Sequence, residues 1–120
     1  MLVDGKLDGK PLMLASIYAP NQEQVAFLEE LSGHLGTMLN QDRIIGGDFN
    51  MVADVIMDRS TPPLRGAQSL RTSKGLGDWI HNWDLNDIWR TRHGTERDYS
   101  FYSHLYALHA RLDMIFCTGR

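Results

Sequence analysis

The pentapeptide Gly46-Gly47-Asp48-Phe49-Asn50 sets a carboxylate and a carboxamide two positions apart behind two glycines. Alternate side chains on an extended strand share a face. Asp48 and Asn50 would therefore project together while Phe49 turns into the core. A carboxylate so placed can orient or deprotonate a water, and an amide NH2 can donate to a developing oxyanion. The glycines would let a second backbone or a ligand come close. The same residue types also build ordinary turns, and that alternative stays open. Tyr18, in Ile17-Tyr-Ala-Pro-Asn21, closes an apolar run. Its phenol is either placed to reach a phosphate or is a core hydroxyl with a partner of its own. Arg111-Leu-Asp-Met-Ile115 is the third candidate. Alternation gives Arg111, Asp113 and Ile115 one face, and an Asp within such a strand is costly unless paired or functional. A local ion pair with Arg111 or another base is the plain alternative.

Other chemistry is poorly represented. The five histidines (His34, His81, His93, His104, His109) show no metal-ligand spacing, Cys117 has no partner motif, and there is no P-loop or dinucleotide fingerprint.

The elements that must hold these residues follow from hydrophobic period and turn chemistry. Asp4-Gly5 and Asp8-Gly9 are turn signals around a short N-terminal segment, read as an edge hairpin. Residues 11–19 form a nearly continuous apolar run, read as a strand buried on both faces. Asn21 is the expected N-cap of a helix, with Gln24 as its capping-box partner. Leu28, Leu31, Leu35 and Met38/Leu39 form that helix's apolar stripe. A strand at 43–50 leads into a long connection over 51–68. A second helix is expected near 69–83, with Leu76, Trp79, Ile80 and Trp83 inward. Leu85–Trp89 is a short return, Arg90–Gly94 a turn, and 98–103 and 110–117 the last two strands. The order β, α, β, α, β, β is a layered α/β arrangement.

The chain has 120 residues and a net charge of −3, which divides unevenly. Residues 1–58 carry three basic and nine acidic side chains, and residues 59–120 carry nine basic and six acidic. The basic half is either a solvated surface or a face for a polyanion. One cysteine excludes an internal disulfide framework, and no apolar run spans a bilayer. These point to a soluble intracellular domain, or part of one, with no membrane partner.

Together the blocks resemble the exonuclease–endonuclease–phosphatase superfamily, and within it the endonuclease domains of LINE-type (non-LTR) retrotransposons. Ile17–Asn21, Ile45–Asn50 and Asp58-Arg-Ser60 occur in the family's order. They are followed by Asp98-Tyr-Ser-Phe-Tyr-Ser103 and then Arg111–Ile115. The resemblance implies a DNase I-like four-layer α/β sandwich and Mg²⁺-dependent (or Mn²⁺-dependent) phosphodiester cleavage. It makes Asp48 the residue that activates water and a possible metal ligand. Asn50 would hold the phosphate or the water, Tyr18 would contact the phosphate, and Asp113 would orient a catalytic His. Asn21, Ser100, Phe101 and Arg111 would face the DNA, with Tyr102 and the basic half contributing. It further implies a reverse transcriptase domain downstream and a nuclear address. The family pattern also includes an opening-strand Asn, a metal-binding Glu and a closing Ser-Asp-His, and none of them is found in residues 1–120. The expectation is a partial domain lacking its N-terminal half and final strands, inactive alone and prone to self-association. The other readings are a non-catalytic nucleic-acid or protein interaction module, or a phosphatase or sphingomyelinase branch of the superfamily.

Overall fold

The computed structural model describes residues 2–36, 41–63 and 67–118. Strand β1 (Leu2–Leu7) turns through Asp8-Gly9 into β2 (Lys10–Tyr18), and the two pair antiparallel. Asp8 and Gly9 both take positive φ (52° and 78°), the backbone that closes a two-residue hairpin without splaying its strands. Helix α1 (Gln24–Leu35) crosses to β3 (Asp42–Asp48), which lies parallel to β2. After a long connection come α2 (Gln68–Asn82), β4 (Leu85–Asp87) and the short α3 (Ile88–His93). A small antiparallel ribbon, β5 (Phe101–Ser103) with β6 (Leu108–Ala110), precedes β7 (Asp113–Thr118). The main sheet has the order β1-β2-β3-β7-β4.

One side of this sheet is the core. Met13, Ala15 and Ile17 of β2, Ile45 of β3, and Met114 and Phe116 of β7 alternate inward and are buried. Leu28, Leu31 and Leu35 of α1 and Leu76 and Trp79 of α2 cover them. Phe49 sits at the centre, edge-on to Phe116 with ring centroids 5.2 Å apart and close to Trp79 at 6.1 Å. Ser32 of α1 accepts both indole N–H groups, from Trp79 at 3.1 Å and Trp83 at 3.0 Å, so one hydroxyl satisfies the polar edge of two large rings.

Several expectations change here. β2 is covered on one face only. Leu14 and Tyr18 point to the other side and are exposed, as are Val3, Ile44 and Ile115 on the neighbouring strands. The α1 N-cap is Glu23, in left-handed backbone and without a side-chain cap bond, so Asn21 lies outside the helix. Met38 and Leu39 fall outside the described residues. Residues 88–93 are helical because Asp87 caps them, its Oδ1 accepting from the Arg90 amide at 3.2 Å. The strand expected over 110–117 is divided. Ala110 ends β6, Arg111 and Leu112 cross between sheets, and Asp113 opens β7. No helix among the described residues is long and apolar enough to cross a membrane.

Candidate active site

The register of the central strands assembles the site. Tyr18 pairs with Asp48 across β2 and β3, and Asp48 pairs with Asp113 across β3 and β7. Paired residues on neighbouring strands project from the same face. Tyr18, Asp48 and Asp113 therefore form a row at one end of the sheet, on the face away from the helices. Tyr18 is 81% exposed and Asp48 is half-buried, while Asp113 is open to solvent. Two carboxylates stand opposite one another in this row. Like charges so placed repel, so their juxtaposition weakens the sheet locally.

Gly47 makes the row possible. Its φ is 140°, and a Cβ there would lie 2.0 Å from the Ile17 carbonyl oxygen. Only glycine lets β3 come this close to β2 while Asp48 is presented beside Tyr18. Beyond Asp48 the strand ends. Asn50 adopts left-handed backbone with φ 49°, a conformation Asn tolerates better than most residues. Its amide N–H donates to Asp48 Oδ1 at 2.9 Å, an Asx turn. Its side-chain Nδ2 donates to the Ala19 carbonyl, and its own carbonyl accepts from Gln24 Nε2 at 3.2 Å. The turn alternative and the site reading thus coexist. Asn50 does not extend the strand beside Asp48. It is folded back at the strand's end, with one of its two amide hydrogens committed to Ala19.

The other named residues divide into two groups. Ser100 Oγ accepts the amide N–H groups of both Leu112 and Asp113, each at 3.1 Å. A hydroxyl can do this and still donate its own hydrogen. Ser100 therefore borders the row and holds the start of β7. Phe101 is 46% exposed on β5, and Asn21 is exposed in the loop after Tyr18. Arg111 departs from expectation and is not a surface contact. It is 4% exposed, and its guanidinium is held by Asp58 and Asp87. Burial alone would lower its pKa, yet the hydrogen bonds it donates to Asp87 and Asp58, with their charges, raise it above the ordinary value. Arg111 does not share a face with Asp113 because the chain leaves the β geometry at 111–112, so the parity that alternation needs is broken.

The sequence reading missed the network around it. Asp58 is fully buried, and its carboxylate receives Arg111 Nε at 2.9 Å and also Arg90. Asp87 binds Arg111 while capping α3. Two arginines and two aspartates balance in charge, and Trp89 packs against both guanidinium groups at 4.8 and 5.2 Å. The Asp87-Ile-Trp-Arg90 spacing, a cap residue three before an amide it can accept, was the available signal.

Among the described residues no group of three or more His, Cys, Asp or Glu side chains converges on one point. The row offers two carboxylates, and one oxygen of Asp48 already accepts from Asn50. The implied Mg²⁺ does not fit these residues as a complete centre, since they alone do not enclose it.

No family model matches the sequence. The structure is similar to an AP endonuclease from Archaeoglobus fulgidus, at 21% identity with TM-score 0.66. It is also similar to a 3′-5′ exonuclease from Neisseria meningitidis, at 15% identity with TM-score 0.65. The fold is DNase I-like. A Neisseria 3′ phosphatase bound to a product DNA hairpin matches at 14% identity with TM-score 0.65. Each likeness covers 98% of this chain but only 51–52% of the other, so the chain spans about half the length of these DNase I-like proteins.

Proposed function

We propose that this chain is the substrate-facing half of a DNA phosphodiesterase that resembles LINE-type endonucleases, and that it does not turn over alone. The observation that carries the reading is the row Tyr18–Asp48–Asp113, with Asn50 and Ser100 at its border. In that role Asp48 orients the attacking water, and Asn50 steadies the phosphate or water from the Asx turn. The Tyr18 phenol contacts the phosphate oxygens as charge develops on them. In the same role Asp113 would orient an imidazole, and Ser100 and Phe101 would contact the DNA backbone. The neighbours named for abasic-site cleavage, exonuclease action and a product DNA hairpin support DNA as the substrate class. The chemistry that Mg²⁺ or Mn²⁺ would supply, charge neutralisation at the phosphate, requires a carboxylate beyond this row. A LINE-type parent would join this half to a reverse transcriptase and act in the nucleus. Sequencing the transcript across both ends of this reading frame tests that link.

The direct test is a supercoiled-plasmid nicking assay on the pure 120-residue chain, with duplex binding measured at several salt concentrations. We expect salt-dependent binding without cleavage in Mg²⁺ or Mn²⁺. Mg²⁺-dependent nicking that disappears in Asp48→Ala would refute the half-site reading. Absence of binding at low salt would remove DNA as the partner.

A further inference from the structure

The Asp58-Arg-Ser60 block finds no use in the chemistry just described, yet it is bonded to the segment that leads into Asp113. It runs beside β6 as a short added strand. Arg59 bridges Ala110 in antiparallel fashion. The Ser60 amide donates to the His109 carbonyl at 3.0 Å, and the Arg111 amide donates to the Asp58 carbonyl at 2.9 Å. Ser60 Oγ accepts the His109 amide N–H at 2.8 Å. The buried Asp58 carboxylate meanwhile holds the Arg111 side chain. The segment thus grips His109, Ala110 and Arg111 through main chain and side chain together.

What it grips matters at both ends. His109 is the ring against which Tyr102 and Tyr99 pack, at 4.6 and 5.7 Å. The ribbon they belong to carries Phe101, Tyr102, Leu105 and Tyr106 exposed, the last two at 82% and 71%. In the other direction, two residues beyond Arg111, lies Asp113, whose amide Ser100 also holds. A protruding ribbon of three residues per strand has little packing of its own. Without a strap it would swing independently of the sheet.

We propose that Asp58 and Ser60 are positioning residues. They fix the β5–β6 ribbon and the 111–112 crossing relative to Asp48, so that the exposed aromatics and the Asp48–Asp113 row present one continuous surface to a nucleic-acid duplex. The role assigned to that surface rests on the DNA reading above.

The experiment is site-resolved amide hydrogen exchange on the 120-residue chain and on Ser60→Ala, Ser60→Thr and Asp58→Asn. Affinity for a short duplex oligonucleotide is measured in parallel. Ser60→Ala removes one hydrogen bond at an exposed residue. It should speed exchange over 109–113 about five- to tenfold while leaving β3 and α2 unchanged. Duplex affinity should fall severalfold, and Ser60→Thr should restore both readouts. Asp58→Asn should act in the same direction and more strongly. Should it fail to fold, Ser60→Ala carries the test. The proposal is overturned if exchange over 109–113 is unchanged, or if it rises uniformly across all elements. It is equally overturned if the ribbon loosens with no change in duplex affinity. If the parent chain binds no duplex, the DNA reading falls by itself, and the exchange data still decide whether the strap holds the crossing.

Discussion

The two faces of the main sheet carry similar side chains and meet opposite surroundings. On the helix side Met13, Ile45, Met114 and Phe116 are buried under α1 and α2. On the other side Val3, Leu14, Ile44 and Ile115 are 38–56% exposed, and no element of the described chain lies over them. The first face holds the fold together. The second carries the Tyr18–Asp48–Asp113 row at its end and an apolar patch along its length. Contiguous apolar surface of this kind marks a place where something else packs. The difference shows that one side of the layer carries the packing that stabilises the fold while the other leaves its side chains open, the two joined through strands that serve both.

That contrast can be broken deliberately. The largest effect belongs to the strand contact shared by both faces. Gly47→Ala should prevent stable folding, because its Cβ would meet the Ile17 backbone in a φ region that side chains avoid. Loss of the cooperative urea transition, followed by circular dichroism, is the check. Next come the helix side and the buried ion network. Phe116→Ala should cost about 3–5 kcal/mol through cavity formation. Asp58→Ala should cost a similar amount, about 3–5 kcal/mol, because it strands buried cations. Urea midpoints compared at constant slope would measure both.

The open face should behave differently. Ile115→Ser should shift stability by no more than about 0.5 kcal/mol while reducing self-association, read by sedimentation velocity over a concentration series. A loss as large as that of Phe116→Ala would erase the distinction between the faces. Smallest of all, Asp48→Asn should stabilise slightly, by about 0.2 kcal/mol, since it relieves the opposition with Asp113 in a solvent-screened setting. A destabilisation would show that Asp48 is held by attraction. The Arg111 contribution should be flat with pH. Its folded pKa lies above the unfolded one, so the stability it supplies is fully present below the unfolded value and is lost only as pH rises through the folded one. A decline between pH 8 and 10 that vanishes in Arg111→Met would contradict this.

Much of the architecture was readable from residue order alone. The Asp8-Gly9 hairpin, the two helices and the strand ending in Asp48 follow from turn chemistry and hydrophobic period. The one-sided exposure of β2 was not readable. Leu12 and Leu14 are as apolar as the residues that are covered, and composition cannot tell a covered face from one without a cover. Arg111 was misplaced for a different reason. Alternation assumes an unbroken strand, and the crossing at 111–112 inverts the parity on either side of it. Of the Asp58 network only the Asp87 cap had a local signal, because Asp58 and Arg111 lie 53 positions apart and meet only in the fold. Asn21 shows the limit of local rules. It is a good cap residue, yet the helix starts three residues later, at Gln24, whose side chain donates to the Asn50 carbonyl and does not close a capping box with Asn21.

The close approach at Gly47 also has a bearing on folding fidelity. Parallel strands joined by a helix have no hairpin to set their alignment, and a one-residue slip would exchange every inward and outward side chain. Here the slip that pairs Ile17 with Asp48 would press a side chain toward the Ile17 carbonyl in place of a hydrogen atom, while the opposite slip brings only Gly46 there. The glycine therefore acts as a one-sided register key, penalising the slip toward Asp48 and leaving the slip toward Gly46 to be opposed by the exchange of buried and exposed faces. Because the same alignment places Tyr18 level with Asp48, an error in strand pairing would also scatter the row.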